Sequence, residues 1–434
     1  MILSCVYSLT RNDDLALKQR RAKKMKILQI NKYYYLKSGS ERYMFNLSSL
    51  LETHGHQIIP FVMKHEKNVP TEYSRYFVEN IDYDRVINEG IFRKIHAGFK
   101  SIYSWEARNK LLRLIGKKNP DIAHIHKISN TLTPSILYAL KKREIPVVQT
   151  LHDYRIVCPN YNMYNPNISK ICEACRGHRY FNALRTKCQK SSYIVGLNIT
   201  LESYLYHLLE TYSNTIDLFI SPSSFLMKKV IEFGIDKEKV VWIPHFVRCD
   251  QYTPSYTSSN HILYFGRLEK HKGVKTLIKA SENIGNVRVL IVGEGTSRTE
   301  LESYTKMNRI KNVSFLGFKS ESELINLIRN CMFTVVPSEW YEPFGFTILE
   351  SFALGKPVLG ANMGAIPELV KNGYTGTLFR GGDFEDLAQK IEWLLDNKSL
   401  LTEMGRNARK AVEEEYNADL HYKRLMEVYE RALH

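Results

Sequence analysis

Pro337-Ser-Glu-Trp-Tyr-Glu-Pro-Phe-Gly-Phe-Thr-Ile-Leu-Glu350 holds two carboxylates, Glu342 and Glu350, with seven residues between them and a Pro-Phe-Gly break after the first. The β-branched run Cys331–Val336 before it predicts a buried strand, and the apolar pattern after Gly345 predicts a helix. In a strand, tight loop and helix, the backbone N–H groups at the helix N-terminus can face an anion. Glu342 is expected in the loop and Glu350 about one turn into the helix. Both would then line one cleft, free to accept hydrogen bonds from hydroxyls.

The same alternation recurs on both sides of this stretch. Downstream of 260 come strand patterns at Ile262–Phe265, Val287–Val292, Val313–Gly317, Pro357–Leu359 and Thr375–Phe379, then a helical end over Leu400–His434. Upstream, strands are expected at Lys26–Ile30, Ile58–Val62, Ile122–His126 and Pro146–Thr150 and within Leu218–Ser224 and Val240–Pro244, and residues 64–118 read as helical and polar. Strand, loop, helix, strand repeated in this way is a doubly wound α/β pattern. Residues 25–247 are read as one domain with a Cys-rich insertion at 158–188, and 248–260, rich in Ser, Thr and Tyr, as the linker. Residues 261–415 form the second domain, and 416–434 a helix expected to pack back on the first. Residues 1–24 are read as a disordered basic extension.

The chain of 434 residues is 44% hydrophobic and 24% charged, an ordinary globular balance with room for two cores. No apolar run approaches a membrane span, and the start lacks the marks of a signal peptide. The net charge of +16 fits attraction to anionic substrates, and docking on an anionic membrane surface is the sharper reading. No zinc-finger, RNP-like or basic heptad pattern supports nucleic acid as a partner.

Residue type and position mark the candidate chemistry. Gly266-Arg267 with Lys272-Gly273 sets two cations after a strand, where Arg can grip an oxyanion pair bidentately and Lys adds a point charge. With the helix start near Phe346 and Thr347, that makes three positive features for a diphosphate. His152 ends a strand, where open α/β sheets keep ligands, against a plain backbone hydrogen bond. Gly39 marks either a close backbone approach or a turn, and the turn is the more economical reading. Asp82-Tyr-Asp84 is formally D-x-D but follows no apolar strand and is taken as chance. Cys158, Cys172, Cys175 and Cys188, spaced C-x13-C-x2-C-x12-C, fit a structural zinc or another closed metal site, with free thiols or a redox pair as the alternative.

Gly-Arg-Leu with Lys-Gly, Gly-Glu-Gly, Phe-Leu-Gly, the two glutamates and Gly-Ala-Ile-Pro-Glu come in an order that resembles the retaining glycosyltransferases of family 4, with the GT-B fold. The resemblance runs from Lys26 onward, supported in the first half by Ser38-Gly39-Ser40-Glu41 and Thr150-Leu-His152-Asp153. It implies two Rossmann-like domains facing across a cleft. It also implies sugar transfer from a nucleotide diphosphate sugar (UDP-, GDP- or ADP-linked) with retention and no essential metal. From the residues and their charge, the expected location is the cytoplasm, peripheral at the inner membrane face. Carried over, Arg267 and Lys272 clamp the diphosphate with Gly266 beside them, Glu350 binds the ribose, and Glu342 and His152 face the sugar. Gly345, Phe346 and Thr347 meet sugar and phosphate, Gly317 and Phe318 cradle the base, and Gly39 with Glu41 lies on the acceptor side. The acceptor implied is a saccharide or lipid-linked saccharide in surface-polysaccharide or glycolipid assembly. Ser38, Ala365 and His245-Phe-Val-Arg248 depart from the family pattern. A non-catalytic sugar-nucleotide binder and a sugar-nucleotide epimerase of the same fold are the competing readings.

Overall fold

In the computed structural model, which describes residues 24–80, 98, 100–129, 131–189, 191–257 and 259–434, the chain forms two parallel sheets of six strands each. The readings of residues 1–23 and of Asp82-Tyr-Asp84 lie outside the described residues. The first sheet comprises β1 (Lys26–Ile30), β2 (Gln57–Phe61), β3 (Ile122–Ile125), β4 (Val147–Thr150), β5 (Leu218–Ser221) and β6 (Val240–Trp242), in spatial order β2-β1-β3-β4-β5-β6. The second comprises β7 (His261–Phe265), β8 (Arg288–Val292), β9 (Val313–Gly317), β10 (Thr334–Val336), β11 (Val358–Ala361) and β12 (Gly376–Phe379), in order β9-β8-β7-β10-β11-β12. Strands buried on both faces need continuous apolar runs. Ile262, Leu263, Val289 and Ile291 supply them, each fully buried.

Strand order reverses between β1 and β3 in the first sheet and between β7 and β10 in the second. In open α/β sheets the crevice at such a switch point, beyond the strand carboxyl ends, is where ligands sit. After β7 runs Gly266-Arg267, and after β10 runs Pro337–Glu342. The Pro337–Glu350 stretch and the upstream cations are therefore neighbours although 70 residues separate Lys272 from Glu342.

Five helices position the site and its surroundings: α1 (Gly39–Thr53), α2 (Tyr193–Leu208), α3 (Ser224–Glu232), α4 (Phe346–Ala353) and α5 (Ala418–Leu433). The last returns to the first sheet. Leu425, Val428 and Tyr429 join the core of β1 and α1, and the Tyr429 hydroxyl meets His124 Nδ1 at 2.6 Å. Of the stretch expected to be helical from 64 to 118, Trp105–Lys118 is a helix. Residues 64–80 instead run irregularly around a single turn at Ser74–Tyr76. Tyr73, Tyr76 and Phe77 bury there, and backbone bonds between Val62 and Val78 hold the segment against β2.

Candidate active site

Lys272 and Glu342 are the centre of the second-domain crevice. Lys272 Nζ donates to both carboxylate oxygens of Glu342, at 3.0 and 2.8 Å. Ser338 Oγ and Trp340 Nε1 each donate to Oε2 at 2.9 Å. Burial alone would push Glu342 up, but the Lys272 charge and these hydrogen bonds outweigh it and hold the carboxyl below its ordinary value. The carboxylate is thus ionised and largely committed within the protein, whereas the sequence suggested an acid open to hydroxyls. A lysine ammonium carries three donors, so one N–H of Lys272 remains for a phosphate oxygen. Arg267 is exposed, and among the described residues its guanidinium forms no ion pair. That leaves it available for an oxyanion.

Gly345 is the N-cap of α4, and the amides of Phe346 and Thr347 occupy its first two positions, where no helical carbonyl can accept them. They lie on the same loop as Glu342, at the positive end of the helix. Glu350, one turn in, is buried and paired with Arg42 of α1 at 3.0 Å across the cleft. Burial raises its carboxyl above the ordinary range despite the Arg42 charge. Gly317 ends β9 with φ +67°, and Phe318 beside it is exposed.

The first domain meets this loop through rings. Gly39 opens α1 directly against Phe346, where an added Cβ would stand 3.0 Å from Cδ2. Gly39 is therefore a close approach rather than the turn the sequence favoured. Glu41 is buried and accepts from Asn31 Nδ2 (3.0 Å), Ser38 Oγ (2.6 Å) and Ser40 Oγ (3.1 Å), so it holds the β1 loop rather than presenting itself to an acceptor. His152 Nε2 contacts His126 Nδ1 at 3.2 Å. Burial, then neighbouring His245, keeps the His152 imidazole neutral, with its pKa well below the ordinary value.

The three departures have physical explanations. Ser38 lies in extended backbone (φ −155°), needing no glycine, and gives its hydroxyl to Glu41. Ala365 has φ −84° and donates its N–H to Glu342 O at 2.8 Å. The demanding position is Gly364, with φ +60°, where a Cβ would stand 2.3 Å from Glu342 N. His245 stacks on Phe346 at 4.8 Å and 14°, lies 5.3 Å from His152 and 4.1 Å from Tyr43, and is buried. It joins donor loop, first domain and His152. Sequence reasoning missed both this role and the Arg42–Glu350 pair; the only signal was a histidine at the end of a strand pattern.

Cys158, Cys172, Cys175 and Cys188 line a single cavity of about 10 Å³. All four are unbonded thiols, and burial pushes Cys158 up to about 12. Among the described residues, no group of three or more His, Cys, Asp or Glu side chains stands at metal-holding geometry.

Comparison with known proteins accords with this architecture. Residues 37–251 match the family described as Glycosyltransferase Family 4, and residues 250–411 match Glycosyl transferases group 1. An uncharacterized glycosyltransferase of Methanocaldococcus jannaschii is 33% identical over 150 residues, 35% of this chain and 42% of that protein. The capsular polysaccharide biosynthesis glycosyltransferase CapM of Staphylococcus aureus is 31% identical over 170 residues, 38% of this chain and 44% of CapM. The chain thus spans less than half the length of these curated relatives. Anabaena HepE, solved in complex with UDP and glucose, superposes with a TM-score of 0.63 at 18% identity, over 94% of this chain and 99% of HepE. The chain belongs to the family 4 type of glycosyltransferases and has the GT-B fold.

Proposed function

We propose that the protein transfers a sugar, with retention at the anomeric carbon, from a nucleotide diphosphate sugar to an acceptor hydroxyl. The observation that carries this is the arrangement of Arg267, Lys272 and the α4 N-terminus around one crevice, with the buried acid Glu350 one turn further along. Charge that builds on the leaving diphosphate meets fixed cations and helix amides, which need little reorganisation as it develops. Glu342 holds Lys272 in place, and neutral His152, packed near Tyr43 and His245, lies on the side from which a sugar would be approached. In this reading the diphosphate itself helps take the acceptor proton, so neither Glu342 nor His152 acts as nucleophile or base.

Anabaena HepE binds UDP and glucose, which favours a uridine donor without excluding GDP or ADP sugars from the test. CapM acts in capsular polysaccharide biosynthesis, which favours a saccharide or lipid-linked acceptor in surface-polysaccharide assembly. The test is donor turnover: incubation with sugar nucleotides should release nucleoside diphosphate slowly without acceptor, and the released or transferred sugar should keep its α or β configuration by NMR. Binding without release would make the protein a sugar-nucleotide binder. A 2-epimer in place of transfer would make it an epimerase, and a trapped glycosyl–Glu342 adduct would overturn the mechanism.

We also read the cysteine segment as a structural zinc site, because four thiols from 31 residues line one cavity. The cage would close on the metal as it binds, since ligand ordering and binding are coupled in small sites. Purified protein without zinc, with all four thiols titratable in the native state, would overturn this.

A further inference from the structure

The outward side of α2 is apolar along its whole length. Tyr193, Ile194, Leu197, Leu201, Leu205 and Leu208 recur at helical spacing and are all exposed, Ile194 at 69% and Leu208 at 80%. The opposite side, through Gly196, Ile199, Thr200 and Tyr206, is the one that packs on the protein. Glu202 is the single acid in α2, and it is buried in an ion pair with Arg155 at 3.2 Å. The exposed stripe therefore carries no negative charge.

Its surroundings are basic and aromatic. Lys187 Nζ sits 3.8 Å over the Tyr193 ring at the start of the helix, and exposed Arg179 and Arg185 precede it, with Arg176 further back beside Glu232 at 4.0 Å. Asn198 Nδ2 donates to Ser101 Oγ at 2.9 Å, which brings the 101–105 segment alongside, with Trp105 exposed and Arg108 5.7 Å from its ring. Soluble proteins rarely leave a contiguous apolar strip of this extent open to water. An apolar stripe with a cationic rim and interfacial aromatics is the pattern of a helix that lies in the plane of an anionic bilayer surface. A second copy of the chain would bring the same basic rim against itself, in a protein of net charge +16.

We propose that α2 is an interfacial helix that docks the first domain on an anionic lipid surface. Among the described residues no helix is long and apolar enough to cross a membrane, so the contact would be peripheral. The Arg155–Glu202 pair ties α2 to the loop that follows β4 and carries His152, so docking would hold that loop near the bilayer. The docking itself does not depend on the proposed transfer reaction.

The test is co-sedimentation of the full chain with vesicles of phosphatidylcholine alone and of phosphatidylcholine mixed with phosphatidylglycerol, at low and high salt. Wild type should partition at least about tenfold more strongly to the anionic vesicles, and Leu201→Glu/Leu205→Glu should lose about tenfold or more of that partitioning. Leu208→Glu, at the most exposed position, should lose part of it. Light scattering and the thermal midpoint of each variant report association and folding. Equal partitioning of wild type and a folded variant would overturn the proposal. So would a wild-type dimer that the variants dissociate, with no vesicle binding by either, because the stripe would then belong to a second copy.

Discussion

At the level of single residues, the site rests on a division of labour between two cations. Lys272 is mostly enclosed and neutralised by Glu342, whereas Arg267 stands exposed without an ion-pair partner among the described residues. Their replacements should therefore fail differently. Arg267→Ala should fold normally and lose about 10²–10³-fold in kcat/KM for donor turnover, the scale of removing one preorganised charge-stabilising donor. Unchanged turnover would refute the clamp. Glu342→Gln keeps the shape but leaves the Lys272 ammonium with no counter-charge in a largely desolvated place. That change should cost about 3–5 kcal/mol of stability, read from the urea midpoint. A variant as stable as wild type would show that Glu342 does not hold Lys272.

Among the elements, two loops are locked together by backbone contact. Gly273 has φ +68°, and a Cβ there would stand 1.8 Å from Pro337 O, so Gly273→Ala must push apart the loops that carry Lys272 and Glu342. It should lose at least about 2 kcal/mol and weaken donor binding together, measured by denaturant titration and calorimetry. An unaltered midpoint would mean the loops are not coupled. The strands around them were legible in the sequence because a doubly buried strand must be apolar throughout: β1 and β9 fall on the residues the pattern marked. The loop glycines, the two cations and the two acids were legible as local motifs because each group follows directly on a strand pattern. What the sequence could not reveal is pairing over distance. Lys272 meets Glu342 across the switch point of the second sheet, whereas Arg42 meets Glu350 and His245 meets Phe346 across the cleft between the domains, and no local period encodes either. Residues 64–80 misled because their aromatics bury in an irregular segment rather than along a helix face.

Across the whole chain, the domains share a seam of aromatic and histidine rings. Glu368 of the second domain also accepts from the Ser224 N–H at 2.9 Å, at the start of α3 in the first. Burial lowers His421 to about 4 and His126 to about 3, so both are neutral in the folded chain near pH 7. Unfolded, each would take a proton near pH 6.5. Above that pH neither contributes a pH-dependent term; as pH falls below it the unfolded chain binds more protons and stability drops. His421 alone should cost about 3 kcal/mol between pH 6.5 and 4. A urea midpoint flat over that range would contradict the buried neutral assignment. Whether this seam and crevice receive a nucleotide diphosphate sugar through Arg267 and Lys272 is decided by thermal shift. Wild type and Arg267→Ala would be compared against UDP, GDP and ADP sugars. One nucleotide class should raise the wild-type midpoint, with about 2.7 kcal/mol of stabilisation at a hundredfold excess over Kd, and should do little for the variant. No shift with any sugar nucleotide, or an equal shift in both proteins, would contradict it.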